Sequence, residues 1–315
     1  MIAVLVRRFL AGIITLWAAS VLVFAGTEIL PGDVVTAILG QTKTPESVAA
    51  LREQLQLDRP AAARYFSWLG DILRGDLGES LISGRPVADV IKGWLANTLI
   101  LASVTALFAI PISFALGLLS AAYPNSPLDR GISIFTLMVV SVPEFLTASI
   151  LVLVLAVHFH LLPATSHVSG SPTTAELLRA LILPVTTLVI AALAHMTRMT
   201  RAAILDVLRS PYVEMAVLKG VPKRRIILRH ALPNALGPIL NVVALVLGYL
   251  VSGVVIVEAV FAYPGLGRLL LDSVGYRDIP MIQAIAMIFC AFYIGVNLLA
   301  DLLVFLTDPR LQEAK

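Results

Sequence analysis

Apolar stretches with few charges, separated by polar segments, run through the chain, and six of them reach membrane-spanning length. They cover about 9–30, 95–121, 131–157, 179–196, 235–257 and 280–306, where a bilayer core takes roughly 20 apolar residues in helical form. Trp94 and Tyr123 bracket the second stretch, as interfacial aromatics do. The pattern predicts an all-α, polytopic membrane protein with six transmembrane helices. The first stretch follows Arg7 and Arg8 and is longer than the apolar part of a signal peptide, without a convincing small-residue cleavage site. It reads as a retained anchor helix.

The segment between the first two spans carries shorter patterns. Thr44-Pro45-Glu46 reads as a cap, a proline at the first helical position and an acidic first turn, followed by Leu51 and Leu55 at helical spacing. A second short helix starts at Pro60, with Tyr65, Leu69, Ile72 and Leu73 on one face, and stops near Gly75-Asp76-Leu77-Gly78. So few apolar positions make a marginal core for an independent domain. These helices are expected to cover the outer face of the bundle or to meet a partner.

Composition agrees with this picture. The 315 residues are 58% hydrophobic and 14% charged, with a mean hydropathy of +0.92, whereas soluble domains are about 25% charged. Cys290 is the single cysteine, which excludes an intramolecular disulfide and a cysteine metal cluster. A net charge of +3 is too small to argue for nucleic acid. Its placement is informative. With the N-terminus inside, the inner pieces hold thirteen basic residues and the short outer loops only Arg179, Arg268 and Arg277. The remaining seven lie in the long segment 31–93, which the positive-inside rule discounts. Both termini are therefore expected in the cytoplasm.

Eight of the inner charges fall between Thr197 and Asn234: Arg198, Arg201, Arg209, Lys219, Lys223, Arg224, Arg225 and Arg229. Ser210-Pro211 supplies an N-cap and a first-turn proline, Tyr212 to Lys219 make about two turns, and Gly220 supplies a left-handed stop. A further helix is predicted over Pro222 to Leu232, broken by Pro233 and Asn234 before the fifth span. No Gly-x-x-x-x-Gly-Lys-Ser/Thr phosphate loop, His-Glu-x-x-His or Gly-x-Ser-x-Gly pattern occurs. The chain is not expected to be an enzyme.

Glu214-Met215-Ala216, then Gly220, then Leu232-Pro233 resembles the EAA loop of membrane subunits of ABC importers, with Met215 in place of an alanine and His230 in place of an isoleucine. The resemblance narrows to the dipeptide/oligopeptide/nickel permease family, first-subunit type. It rests on Leu30-Pro31-Gly32-Asp33, Gly75-Asp76-Leu77-Gly78 with Pro86-Val87, Arg229 to Ala235, Phe261 to Arg268, Arg277-Asp278-Ile279-Pro280 and Asp308-Pro309-Arg310. It covers essentially the whole chain in order.

The resemblance implies the type I ABC-importer transmembrane-domain fold in a bacterial inner membrane. It implies an organisation of 1–30 N-terminal anchor helix, 31–94 periplasmic helical segment, 95–307 permease core with coupling loop 197–234, and 308–315 cytoplasmic tail. A paralogous permease subunit would complete a heterodimeric pathway within membrane lipid. Two cytoplasmic ATPases would bind ATP and magnesium, so this chain would need no cofactor. An extracytoplasmic binding protein would deliver substrate, expected to be di- or oligopeptides, with nickel, opines or oligosaccharides as alternatives. The docking loop on the ATPase would comprise Tyr212, Val213, Glu214, Met215, Ala216, Val217, Lys219 and Gly220. A secondary transporter would need an ion-coupling site and usually an inverted repeat, and a membrane enzyme would need a reactive constellation; neither is evident.

Several polar residues interrupt the spans. Glu144, after Pro143, sits in the third stretch; it is either an anionic point on the pathway favouring cationic substrates or a structural partner of His195, Arg198 or another subunit. Pro111, Pro143 and Pro184 are hinges or static kinks. His158, His160 and His167 are a weak metal-relay signal. Glu258 and Asp301 read as helix-end charges, Asn297 and Asp301 as a pair able to bond across subunits, and Gly265-Leu266-Gly267 as a structural corner.

Overall fold

The computed structural model describes residues 2–29, 44–46, 59–166, 173–252 and 254–307. Leu30 to Asp33, the predicted helix with Leu51 and Leu55, His167 and Asp308 to Arg310 lie outside the described residues.

The described chain is helical throughout. Helix α1 (Ile2–Ile29) is followed by α2 (Ala61–Leu73), α3 (Val87–Ala122), α4 (Pro127–Ser141) and α5 (Glu144–Leu151), which continues as a π-helix over Val152–His158. Then come α6 (Thr174–Leu208), α7 (Pro211–Leu218) and a single turn α8 (Lys223–Arg225). This turn passes through a π-helical stretch (Ile226–Ala231) into α9 (Leu232–Ser252). Helices α10 (Val255–Val260), α11 (Leu266–Tyr276) and α12 (Ile279–Thr307) complete the order.

Among the described residues five helical stretches are long and apolar enough to cross a membrane: Val6–Ile29, Val87–Ala122, Thr174–Leu208, Lys223–Val260 and Ile279–Phe305. The pair α4 and α5, bent by 99°, counts as a sixth if the two are taken together as one span. The hinge or kink expected at Pro143 within 131–157 is thus a full break between two helices. The cause is local. Proline disfavours helical backbone in the residue before it, and Val142 is extended (φ −101°, ψ 122°). Pro111 and Pro184, by contrast, lie inside continuous helices.

Helices α3 and α6, of 36 and 35 residues, are far longer than the stretches read for them. At about 1.5 Å per residue each exceeds 50 Å, against roughly 30 Å of hydrocarbon, so both project beyond the bilayer. They form the central pair. A Cβ at Gly117 of α3 would stand 2.7 Å from Thr200 Cβ of α6, so the backbones approach closely there. Leu101, Leu183, Leu188, Met196, Leu250 and Ile285 fill the core between α3, α6, α9 and α12.

Helix α2 is fixed to α1 by Ser20–Tyr65 (2.9 Å), Arg64–Glu28 (2.7 Å) and an edge-to-face contact of Phe24 with Tyr65. Tyr65 is buried as expected of its face, but Leu73 is 79% exposed and does not share it. The loop after α2 is tied to the start of α12: the Ser80 hydroxyl and the Leu81 N–H (3.1 Å) both donate to Asp278. Two of the motifs read separately in the sequence are thus one contact.

Candidate functional site: the basic loop and the intramembrane polar groups

The loop after α6 forms as its sequence dictates, with one exception. Ser210 occupies the N-cap position and Pro211 the first helical position, but the Ser210 hydroxyl donates back to the Val207 carbonyl and not to the α7 backbone. Helix α7 ends at Leu218. Gly220 is left-handed (φ +74°), and the Gly220 and Val221 N–H groups close the end on the Val217 and Ala216 carbonyls at 2.9 and 3.1 Å.

Val213 anchors α7, being 2% exposed. The rest of its apolar surface is open: Tyr212, Met215, Val217 and Leu218 are exposed, Leu218 at 75%. Glu214 and Lys219 are also exposed, and Ala216 is half-buried. The helix is thus held at one point and presents apolar side chains outward.

Its foundation is polar. Asp129 is buried at the start of α4 and accepts both Arg201 nitrogens, at 2.8 and 2.9 Å, together with the Ser120 hydroxyl and the Asn125 N–H. The Lys223 ammonium stands 5.2 Å from the Tyr123 ring centre, and the Tyr212 hydroxyl donates to the His230 carbonyl at 3.4 Å. These links join α7 and α8 to the α3–α4 corner. The break expected at Pro233 and Asn234 does not occur. Pro233 is the second residue of α9, in the first turn, where a proline is tolerated, and Asn234 Nδ2 donates to the His230 carbonyl at 2.7 Å.

Within the membrane, Glu144 is the first residue of α5, beside the break, and no longer the middle of a helix. Its partner is Tyr249 of α9, whose hydroxyl donates to Glu144 Oε2. The expected pairing with His195 or Arg198 is corrected: those two side chains line a separate cavity of about 470 Å³, whereas Glu144 lines one of about 140 Å³.

Glu258 departs furthest from its sequence reading. It is fully buried. Thr98 Oγ donates to Glu258 Oε1 at 2.7 Å, and the Gly267 and Arg268 N–H groups donate to Oε2 at 2.7 and 3.1 Å. The carboxylate thereby caps the free N–H groups that open α11. Thr98 Oγ in turn accepts the Leu266 N–H at 2.7 Å. A Cβ at Gly265 would stand 2.0 Å from Glu258 Oε1, so only glycine fits. Asn97 Nδ2 donates to the Pro264 carbonyl, and the Tyr263 hydroxyl donates to the Asn97 carbonyl, both at 2.8 Å. Burial, with the nearby Glu258 charge, pushes the Tyr263 hydroxyl up from its ordinary range.

Residues 113–313 match the family model described as the inner membrane component of binding-protein-dependent transport systems, and residues 1–102 match the model of its N-terminal part. The chain belongs to this family. It is a multi-pass permease subunit of a bacterial ABC importer, a membrane subunit without catalytic activity that works with ATPase and binding-protein partners. The oligopeptide transport system permease protein AppB of Bacillus subtilis is 35% identical over 99% of this chain and 100% of its own. The glutathione transport system permease protein GsiC of Escherichia coli is 36% identical over 99% of both chains. An inward-facing structure of the MetNI methionine ABC transporter shares the fold, with a TM-score of 0.58 over 70% of this chain and 96% of that one, at 19% identity.

The remaining sequence candidates of the permease resolve as follows. Asp301 pairs with Arg8, and Asn297 Nδ2 donates to the Tyr293 carbonyl of its own helix at 2.8 Å, so the pair expected to reach across subunits is engaged within the chain. His158 and His160 lie at the end of the π-helical stretch, and among the described residues no three His, Cys, Asp or Glu side chains are grouped to hold a metal. Tyr249, Thr98 and Asp129 went unread. A tyrosine inside the fifth apolar stretch was the available signal for Tyr249. For Thr98 and Asp129 only the folded chain reveals the partner.

Proposed function

We propose that this permease forms half of the translocation pathway of an ATP-driven importer of short peptides, paired with a paralogous permease subunit. In this reading both termini lie in the cytoplasm and α7 is the element that docks on an ATPase. The carrying observation is the exposed apolar side of α7 (Tyr212, Met215, Leu218) on the basic side of the protein. Apolar side chains clustered on an otherwise charged surface mark an interaction site. Glu214, in the first turn of α7 and exposed, is suited to meet a basic group at the rim. ATP and magnesium belong to the two partner ATPases. A peptide substrate is supported by relatives named for oligopeptides and glutathione.

The test is coupling. Met215→Asp and Leu218→Asp each place a charge on the docking side and nothing in the core. In proteoliposomes holding the complete transporter, ATP-driven peptide uptake should fall at least tenfold while six spans insert normally. Uptake retained at the wild-type rate in both variants would refute the docking role.

A further inference from the structure

Two cavities lie in line between α4 and α6. The first is lined by Val139, Glu144, Thr147 and Thr187, among others, and the second by Ser133, Thr136, His195 and Arg198 with their neighbours. On α6 the lining runs through Thr187, Ile190, Ala191, His195, Arg198 and Ala202, a spacing that keeps one helix face toward α4. The two ends carry opposite charge. At one end Glu144 Oε2 is engaged by Tyr249, but Oε1 is shut off from solvent and has no hydrogen-bond partner. A buried acceptor without a donor is rare in native proteins and asks for an explanation. At the other end Arg201 is neutralised by Asp129. Arg198 has no hydrogen-bond or ion-pair partner among the described residues. An intramembrane carboxylate faces a cavity or a protein partner and not lipid, so the Glu144 end of the groove faces away from lipid.

We propose that the groove between α4 and α6 is a bipolar seat for a zwitterionic peptide, with the peptide's ammonium group at Glu144 and its carboxylate at Arg198. The Glu144 carboxylate, which lines the first cavity, supplies the negative charge that the ammonium faces, and His195 adds a hydrogen-bonding group beside the carboxylate end. The helix rise from Ala191, which lines the cavity with Glu144, to Arg198 is about 11 Å. An extended peptide covers about 3.3–3.6 Å per residue, so the spacing suits about three residues. Threonine hydroxyls (Thr147, Thr187, Thr136) and aliphatic side chains line the space between and leave peptide side chains unselected. The inference rests on the peptide-importer reading and deepens it to a requirement for both free termini.

The assembled permease–ATPase complex, without binding protein, is titrated with trialanine, N-acetyl-trialanine and trialanine amide. Trialanine is expected to bind about tenfold more tightly than either blocked form, the size of one charge-assisted hydrogen bond. Glu144→Gln should abolish the preference over the N-acetyl form and leave the preference over the amide; Arg198→Gln should do the converse. Glu144→Asp and Arg198→Lys keep the charges and should keep both preferences, which guards against variants that merely fail to assemble. Equal binding of all three ligands by the wild type, preferences unchanged in both neutral variants, or their loss in the charge-keeping ones would each overturn the seat. ATP-driven uptake of trialanine in proteoliposomes is measured in parallel. Its absence from the wild type refutes the peptide-importer reading instead.

Discussion

The corner around Glu258 and the basic-loop helix α7 are both short helices set between spans, and they are finished in opposite ways. At the Glu258 corner the chain satisfies itself: a fully buried carboxylate accepts from Thr98, Gly267 and Arg268, and Gly265 lies against it with no room for a side chain. Helix α7 has one buried side chain, Val213, and turns Met215, Val217 and Leu218 outward. The first is complete without a partner. The second has correct helix ends and an unfinished surface. Stability is concentrated where the chain must hold its shape, and exposed apolar area where it is to be covered.

Substitutions in the two regions should separate accordingly. Glu258→Ala strands three buried donors, each costing about 1–3 kcal/mol, and should lower the thermal stability of the purified complex by at least about 3 kcal/mol. Gly265→Ala should fail similarly, because its Cβ would overlap Glu258 Oε1. In α7 the steric term is absent: nothing stands within 4 Å of a Cβ at Gly220. Gly220→Ala therefore meets only the left-handed backbone at φ +74°, a cost of about 1–2 kcal/mol. Lys223→Ala, which removes the contact over Tyr123, should cost no more than about 1 kcal/mol. Met215→Asp should change stability least, within about 0.5 kcal/mol, while ATP-driven uptake should fall at least tenfold. Thermal unfolding in detergent checks this order. A Met215→Asp complex as unstable as Glu258→Ala would mean that α7 belongs to the core.

What could be read from the sequence divides along the same line. The span count, the Ser210-Pro211 start of α7 and its Gly220 stop depend on composition and on backbone preferences within a few residues. The bend at Pro143 was only half legible. The proline marked the place, but an apolar run has the same length straight or folded back, and packing against α6 and α10 sets the direction. Pro233 misled for the reverse reason: a π-helical stretch runs straight into α9 and the proline falls in its first turn, where it is tolerated. Glu144 and Tyr249 are 105 positions apart and Thr98 and Glu258 are 160 apart. Neither pairing has a local signature. A glutamate seven residues before a Gly-Leu-Gly corner is the nearest thing to one, since close-fitting glycines and a buried carboxylate need each other there.

The central claim is that α7 is the surface an ATPase covers. The most direct measurement places a photo-crosslinking amino acid at Leu218, the most exposed large apolar side chain of α7, in the assembled transporter. Irradiation should yield an adduct between this chain and an ATPase subunit. An assembled, transport-active complex giving only lipid or intramolecular adducts from Leu218 would contradict the account.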